Sequence, residues 1–144
     1  PLHRLLRVAE VVALGWPGLL VVLVPQAVAE AGAVAEALVF ASKAGADPAR
    51  VREALMGGFA SSRVLEAHGE KMLRRKFEPG FRIDLHRKDL NLALNAAREL
   101  GLGLPNTASA MQLFNSIAAK ENGGSLDHSA MVLALESLAN HSLD

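Results

Sequence analysis

Apolar positions along the chain recur at three- and four-residue intervals, and long stretches of Ala and Leu are broken at Gly and Pro. That period is helical, and with little β-branched alternation it predicts an all-α, multi-helix fold with one long helix toward its N-terminal side. A first helix over 2–14 is stopped by the Gly15-Trp16-Pro17-Gly18 cluster. The long helix follows over 19–44, closed by Gly45, with Pro25 expected to kink or restart it at a cost of roughly 3 kcal/mol. Asp47-Pro48 reads as an N-cap followed by proline at the first helical position, and this helix runs to 56 and stops at Gly57-Gly58. Ser61 or Ser62 caps the next, to about 76. Phe77-Glu78-Pro79-Gly80-Phe81 is a turn. A helix over 83–100 is closed by Gly101, Asn106 or Thr107 opens another that ends near Gly123-Gly124, and Asp127 caps a last one to about 140. Without repeats, low-complexity stretches or linkers, the pattern describes one domain.

Composition narrows the function classes. The 144 residues can bury a single core. Fifteen basic and fifteen acidic residues cancel, which argues against duplex nucleic acid or an anionic membrane as partner. Five Phe, one Trp and no Tyr are too few for a base-stacking platform. With no cysteine there are no disulfides, thiolate nucleophiles or Cys-bound metals, which fits a cytoplasmic protein. Residues 11–29 carry no charge. Read as a membrane span, this stretch is short and broken by Gly15, Pro17, Gly18 and Pro25. Read as a signal peptide, Arg4 and Arg7 form the basic region and Ala27-Val28-Ala29 the cleavage site. A buried or interface helix is the favoured reading, because an ordinary helical pattern continues after Ala29.

Candidate chemistry is sparse. On a wheel of the 83–100 helix, Ile83, Leu90, Leu94 and Ala97 share the core face, and Asp84, Lys88, Asn91 and Asn95 the opposite one. By itself that polar stripe reads as a solvated face. Asp89 lies on the flank with Leu85, Ala96 and Leu100 and needs a partner there. His86 projects onto the apolar side and reads as a hydrogen-bonded core or interface histidine. Neither a Gly-x-Gly-x-x-Gly fingerprint nor a Walker sequence occurs. His68, His86, His128 and His141 have no metal-ligand spacing, so no metal is expected. Ser61 and Ser62 lack an adjacent base, and Asp127-His128-Ser129 is a helix start whose consecutive residues cannot present triad geometry to one another.

Several motifs occur in an order that is recognisable together: Glu36-Ala37-Leu38, Lys43-Ala44-Gly45, Gly57-Gly58-Phe59-Ala60, the Phe77–Phe81 turn, Leu85-His86-Arg87-Lys88-Asp89-Leu90, Leu104-Pro105-Asn106-Thr107-Ala108 and Asp127-His128-Ser129-Ala130. The chain from about 28 to 140 resembles the C-terminal domain of the β-hydroxyacid dehydrogenases. It is most similar to the 2-hydroxy-3-oxopropionate (tartronate semialdehyde) reductases and next to the 3-hydroxyisobutyrate dehydrogenases. The resemblance implies a helical domain of the 6-phosphogluconate-dehydrogenase-like type, which in the family closes the site of a Rossmann domain holding NAD or NADP and mediates oligomerisation. It implies that Lys88 contacts the nicotinamide cofactor from the helical side, that Phe81 lies near the closed site, and that Asp89 is a structural partner. Gly57-Gly58 is expected to shape the backbone near the cleft.

Residues 1–27 depart from the family. Its proton-donating lysine opens the long helix in a Lys-x-x-Asn pattern. Aligning from Glu36-Ala37-Leu38 puts Leu20 and Leu23 at those two places, and aligning on Pro25-Gln26 puts Val22 and Pro25 there. No lysine precedes Lys43, and neither Leu nor Val has a proton to exchange, so no catalytic residue is assigned. The expectations are a domain over 28–144 preceded by an atypical, frame-disrupted or truncated segment, a homodimer, a missing nucleotide-binding domain as further partner, no cofactor bound by the chain alone, and no activity in isolation, with a non-enzymatic helical dimerisation or partner-binding module derived from that fold as the alternative.

Overall fold

A computed structural model describes residues 16–144, with side chains from residue 22 onward. The expected helix over 2–14 and most of the atypical segment lie outside the described residues. Six α-helices follow one another: α1 Trp16–Lys43, α2 Pro48–Met56, α3 Arg63–Leu73, α4 Ile83–Leu100, α5 Pro105–Ala118 and α6 Val132–Ala139. Two 3₁₀ turns, Gly123–Ser125 and His128–Met131, link the last two helices. No strand occurs among the described residues, so the all-α expectation holds.

Helix ends follow local chemistry closely. Asp47 Oδ1 accepts from the Ala49 and Arg50 amides with Pro48 at the first helical position, and Ser62, not Ser61, caps α3 through the Leu65 amide at 2.9 Å. Gly45 (φ +84°) and Gly101 (φ +68°) terminate α1 and α4 in left-handed conformation. Each is followed by a six-to-one bond, Ala46 N to Ala41 O and Leu102 N to Ala97 O.

Three boundaries differ from expectation. The cluster Trp16-Pro17-Gly18 begins α1 instead of breaking the chain before it. Proline at the second helical residue is compatible with this, because the first-turn amides have no helical acceptor. Helix α1 also continues through Pro25. The flanking Val24 and Val28 are buried in the core, and at about 1.5–3 kcal/mol each their burial offsets the roughly 3 kcal/mol a proline costs in a helix interior. Finally, Pro105 and not Asn106 or Thr107 opens α5, and that helix ends at Ala118, with Gly123-Gly124 in the following 3₁₀ turn.

Helix α1 is the spine against which all five other α-helices pack. Its first half contributes Val24 and Val28 to a cluster with Ile83, Leu90, Phe114 and Met131. Its second half contributes Val34, Ala35, Leu38 and Val39 to a cluster with Leu65, Met72 and Val132. Phe77 and Leu133 pack against both clusters and join them. By length and composition Val22–Lys43 could cross a membrane, but half of its most apolar stretch is buried inside this fold, as the core-helix reading expects.

Candidate functional site

The turn Phe77-Glu78-Pro79-Gly80-Phe81 lies between α3 and α4, and residues from distant parts of the chain hold it. Asp127 N donates to Phe77 O, His128 N to Phe81 O and Ile83 N to Leu126 O, and an antiparallel bridge pairs Arg82 with Asp127. No side chain caps α4; the Leu126 carbonyl takes its first amide instead, which satisfies an otherwise orphan donor.

Asp127 is the pivot of this arrangement. Its carboxylate is 1% exposed. It accepts the Lys71 ammonium (2.9 Å) and the Gly80 amide (2.9 Å) on Oδ2, and the Ser129 amide (3.1 Å) and hydroxyl (2.6 Å) on Oδ1. Burial alone would raise its pKa, but the bonds from Lys71, Ser129 and Gly80 outweigh it and hold the carboxyl well below the usual range. As the sequence implies, the Asp127-His128-Ser129 run is a cap and not a triad.

Beside Asp127 stand three histidines from three elements: His68 on α3, His128 after the cap and His86 on α4. His86 Nε2 meets His128 Nδ1, and His128 Nε2 lies 2.7 Å from His68 Nε2. The His86 ring packs edge-on to Phe81 with centroids 4.5 Å apart and stacks on Phe114 at 5.8 Å. Burial pushes the His86 pKa down to about 4, with Asp89 and Asp127 opposing. Burial, reinforced by His68 and His86, takes His128 to about 3. Burial also lowers His68. All three are therefore neutral at pH 7.

Ligand atoms of His68, Asp127 and His128 lie within 4.8 Å of one another, a grouping that a search for local spacing misses because 59 positions separate Asp127 from His68. The hydrogen bonding argues against a metal. Both Asp127 oxygens are already engaged, and the Lys71 ammonium places a positive charge beside the site. His128 Nε2 lies 2.7 Å from His68 Nε2 and 3.1 Å from His68 Nδ1, both hydrogen-bond distances. The arrangement is a hydrogen-bonded imidazole column. One sequence signal pointed to it, His86 on the apolar side of α4; it is buried, as that reading requires. His68 carries the same kind of signal, standing between the buried Leu65 and Met72 of α3.

Of the residues singled out from the sequence, Phe81 packs against the column and is 39% exposed. Lys88 lies in the second turn of α4, with its side chain 67% exposed and its Nζ 3.5 Å from Asp89 Oδ1. That ion pair is the partner Asp89 needed, its side chain being only 15% exposed. Asp84, Asn91 and Asn95 are exposed as the wheel placed them, and Leu94 is half-buried. Gly57 and Gly58 end α2, their amides donating to Ala54 O and Leu55 O beside a fully exposed Phe59.

Known proteins resemble this chain in both sequence and fold. Residues 24–135 match the family described as NAD-binding of NADP-dependent 3-hydroxyisobutyrate dehydrogenase. Over 112 residues the chain is 70% identical to 2-hydroxy-3-oxopropionate reductase from Escherichia coli (strain K12), a match covering 77% of this chain and 38% of that protein. It is 41% identical over 108 residues to the probable 3-hydroxyisobutyrate dehydrogenase-like 1, mitochondrial, of Arabidopsis thaliana, covering 75% and 32%. The fold matches 3-hydroxyisobutyrate dehydrogenase from Salmonella typhimurium with a TM-score of 0.73 at 24% identity, covering 78% of this chain and 39% of that one. It matches the Mycobacterium tuberculosis 3-hydroxyisobutyrate dehydrogenase solved with L-serine with a TM-score of 0.72 at 25% identity, covering 80% and 41%. The aligned part thus spans about 38% of the length of the E. coli relative. By the extent of these matches, the chain belongs to the β-hydroxyacid dehydrogenase family, in its all-helical, NAD-binding portion.

Proposed function

We propose that this chain is the helical substrate- and cofactor-closing half of an NAD(P)-dependent oxidoreductase acting on a β-hydroxyacid of the glycerate/tartronate semialdehyde class, and that it works in the cytoplasm. The observation that carries the reading is the 70% identity to 2-hydroxy-3-oxopropionate reductase; the family match over 24–135 takes in both Phe81 and Lys88.

The residues present fit a nicotinamide cofactor. Phe81 offers an exposed aromatic face, and Lys88 an exposed ammonium at the same end of α4. A ring that is apolar on its faces and a phosphate-bearing tail can use one group of each kind. Phe81 and Lys88 would hold the cofactor, which when bound supplies the hydride. Phe81 excludes water from one face of the site. Lys88 places a positive charge there, and Asp89 fixes the direction of its ammonium.

The proton is another matter. The positions that align with the family's lysine are Leu20 or Val22, and neither exchanges a proton. This chain therefore binds and orients, and it does not complete the reaction in isolation. Calorimetric titration with NADH and NADPH, alone and with the nucleotide-binding domain of a full-length relative supplied in trans, tests the reading. Binding that appears with the added domain and weakens in Lys88→Ala supports it. No binding in either arrangement, or 2-hydroxy-3-oxopropionate turnover by the chain alone, overturns it.

One observation favours a second reading, a non-enzymatic helical dimerisation module. Phe40 and Leu138 are each 77% exposed and line an open apolar trough with Val39 and Leu135, edged by Glu36 and Lys43. A surface of this kind calls for a covering partner. A second copy of the chain is the occupant in this reading, and a concentration-independent dimer without cofactor binding favours it over the first.

A further inference from the structure

The turn that carries Phe81 rests on the imidazole column, and the column has a direction. His86 is 5% exposed. Its Nδ1 is the buried side-chain polar atom that has no hydrogen-bond partner among the described residues. A neutral imidazole carries one N–H and one lone pair. A buried N–H without an acceptor is the rarer and costlier orphan, so the proton belongs on Nε2, facing His128 Nδ1. His128 then accepts on Nδ1 and carries its own proton on Nε2, which faces the His68 ring, 2.7 Å from its Nε2 and 3.1 Å from its Nδ1. The unpartnered Nδ1 of His86 thus sets the tautomer of both His86 and His128.

The column also touches the turn at two independent points. The His86 ring lies edge-on against Phe81, and the His128 backbone amide donates to the Phe81 carbonyl at 3.2 Å. Asp127 beside the column holds the Gly80 amide. The charged groups acting on the column are Asp127, Lys71 and Asp89 on α4; α5 contributes the apolar ring of Phe114. Neutral, ordered rings keep this contact rigid, whereas a second proton on His128 would set its Nδ1–H against the Nε2–H of His86 across a buried gap.

We propose that His86 is a positioning residue for Phe81, its ring held in the Nε2–H tautomer by the hydrogen bond to His128 Nδ1. Its bearing on cofactor contact rests on the reading of Phe81 given above; the positioning itself does not, and it can be measured without cofactor.

Two measurements on the purified 144-residue chain test it. Long-range proton–nitrogen NMR at pH 7 is expected to show His86 and His128 neutral, with the proton on Nε2 in both. A cationic ring, or a proton on Nδ1 of His86, overturns the proposal. Amide hydrogen exchange is then compared in His86→Phe, which keeps an apolar ring but cannot donate, and His86→Gln, whose amide nitrogen stands near the Nε2 position. Exchange at the Gly80 and His128 amides is expected to rise at least tenfold in His86→Phe, relative to a core amide such as Ala93, and to return near the parent rate in His86→Gln. Equal acceleration throughout the domain in His86→Phe, or turn amides unchanged in it, shows that His86 only fills space and overturns the proposal.

Discussion

Lys71 on α3 donates its ammonium to Asp127 Oδ2 at 2.9 Å, across 56 residues of sequence, and the same nitrogen reaches the Glu78 carbonyl at 3.4 Å. This one side chain therefore ties α3 both to the Phe77–Phe81 turn and to the cap of the last helical segment. Asp127→Ala would strand the Gly80 and Ser129 amides and the Lys71 ammonium at once. The expected loss is about 3–5 kcal/mol, the range for breaking a buried pair from one side, and Asp127→Asn should lose less because its amide oxygen still accepts. Urea unfolding measures both; a loss below about 1 kcal/mol for Asp127→Ala would contradict a pivotal role.

Acid should weaken the fold as pH falls through the histidine range. In an unfolded chain histidines take up a proton near 6.5, whereas in the fold His86 stays neutral to about 4 and His128 to about 3. Between those values and 6.5 the unfolded state binds more protons, so stability is complete above 6.5 and falls as pH falls. The steepest slope is about 1.4 kcal/mol per pH unit for each such histidine. Asp127 adds nothing in this window, since its contribution is lost only below its unfolded pKa of 3.8. Urea midpoints should be level from pH 7 to 8 and drop steadily from 6.5 to 4.5. A flat or rising midpoint over the lower range is the contrary result.

Phe114 is fully buried and stacks on His86. Phe114→Ala opens a cavity in the first core cluster at an expected cost of about 3–5 kcal/mol, readable as a shift in the urea midpoint with the m-value unchanged. A cost near 1 kcal/mol would mean that the cluster collapses around the void.

The C-terminus is tied down by charge. Glu136 accepts Arg75 Nη1 at 2.6 Å and Nη2 at 3.1 Å and the Leu143 amide at 2.8 Å, while Arg75 Nε reaches Asp144 at 3.2 Å. Glu136→Gln removes the charge but keeps the shape, and should cost about 1.5–3 kcal/mol, the range for hydrogen bonds to a charged group. Arg75→Lys should cost nearly as much, because an ammonium cannot reproduce the two-pronged contact. If Arg75→Lys is silent in thermal unfolding, the fork geometry contributes nothing.

The proposed role of Lys88 is in cofactor contact and not in folding. With its side chain two-thirds exposed and paired only at 3.5 Å, Lys88→Ala should change stability by no more than about 0.5 kcal/mol. In the assembly with a nucleotide-binding domain it should weaken NAD(P)H binding roughly tenfold, equivalent to about 1.4 kcal/mol. Unchanged cofactor affinity would remove Lys88 from the site.

What the sequence determined by itself is the set of local decisions. Asp47 with Pro48, Gly45 and Gly101 mark helix ends because each satisfies backbone groups, or adopts a left-handed backbone, within a few residues of its own position. The two faces of α4 were legible for the same reason: three- and four-residue spacing places Ile83, Leu90 and Ala97 inward and Lys88 outward whatever they pack against. The run of motifs also carried the family. Tertiary structure alone decided that Pro25 stays within a helix, because the compensating burial of Val24 and Val28 depends on partners from α4 and α5. It alone assembled the imidazole column and its Asp127–Lys71 terminus, whose members lie on α3, on α4 and after α5. No short-range spacing encodes such a set. Its atoms meet only when the helices that carry them are packed on α1, and that burial pushes the pKa of all three histidines down.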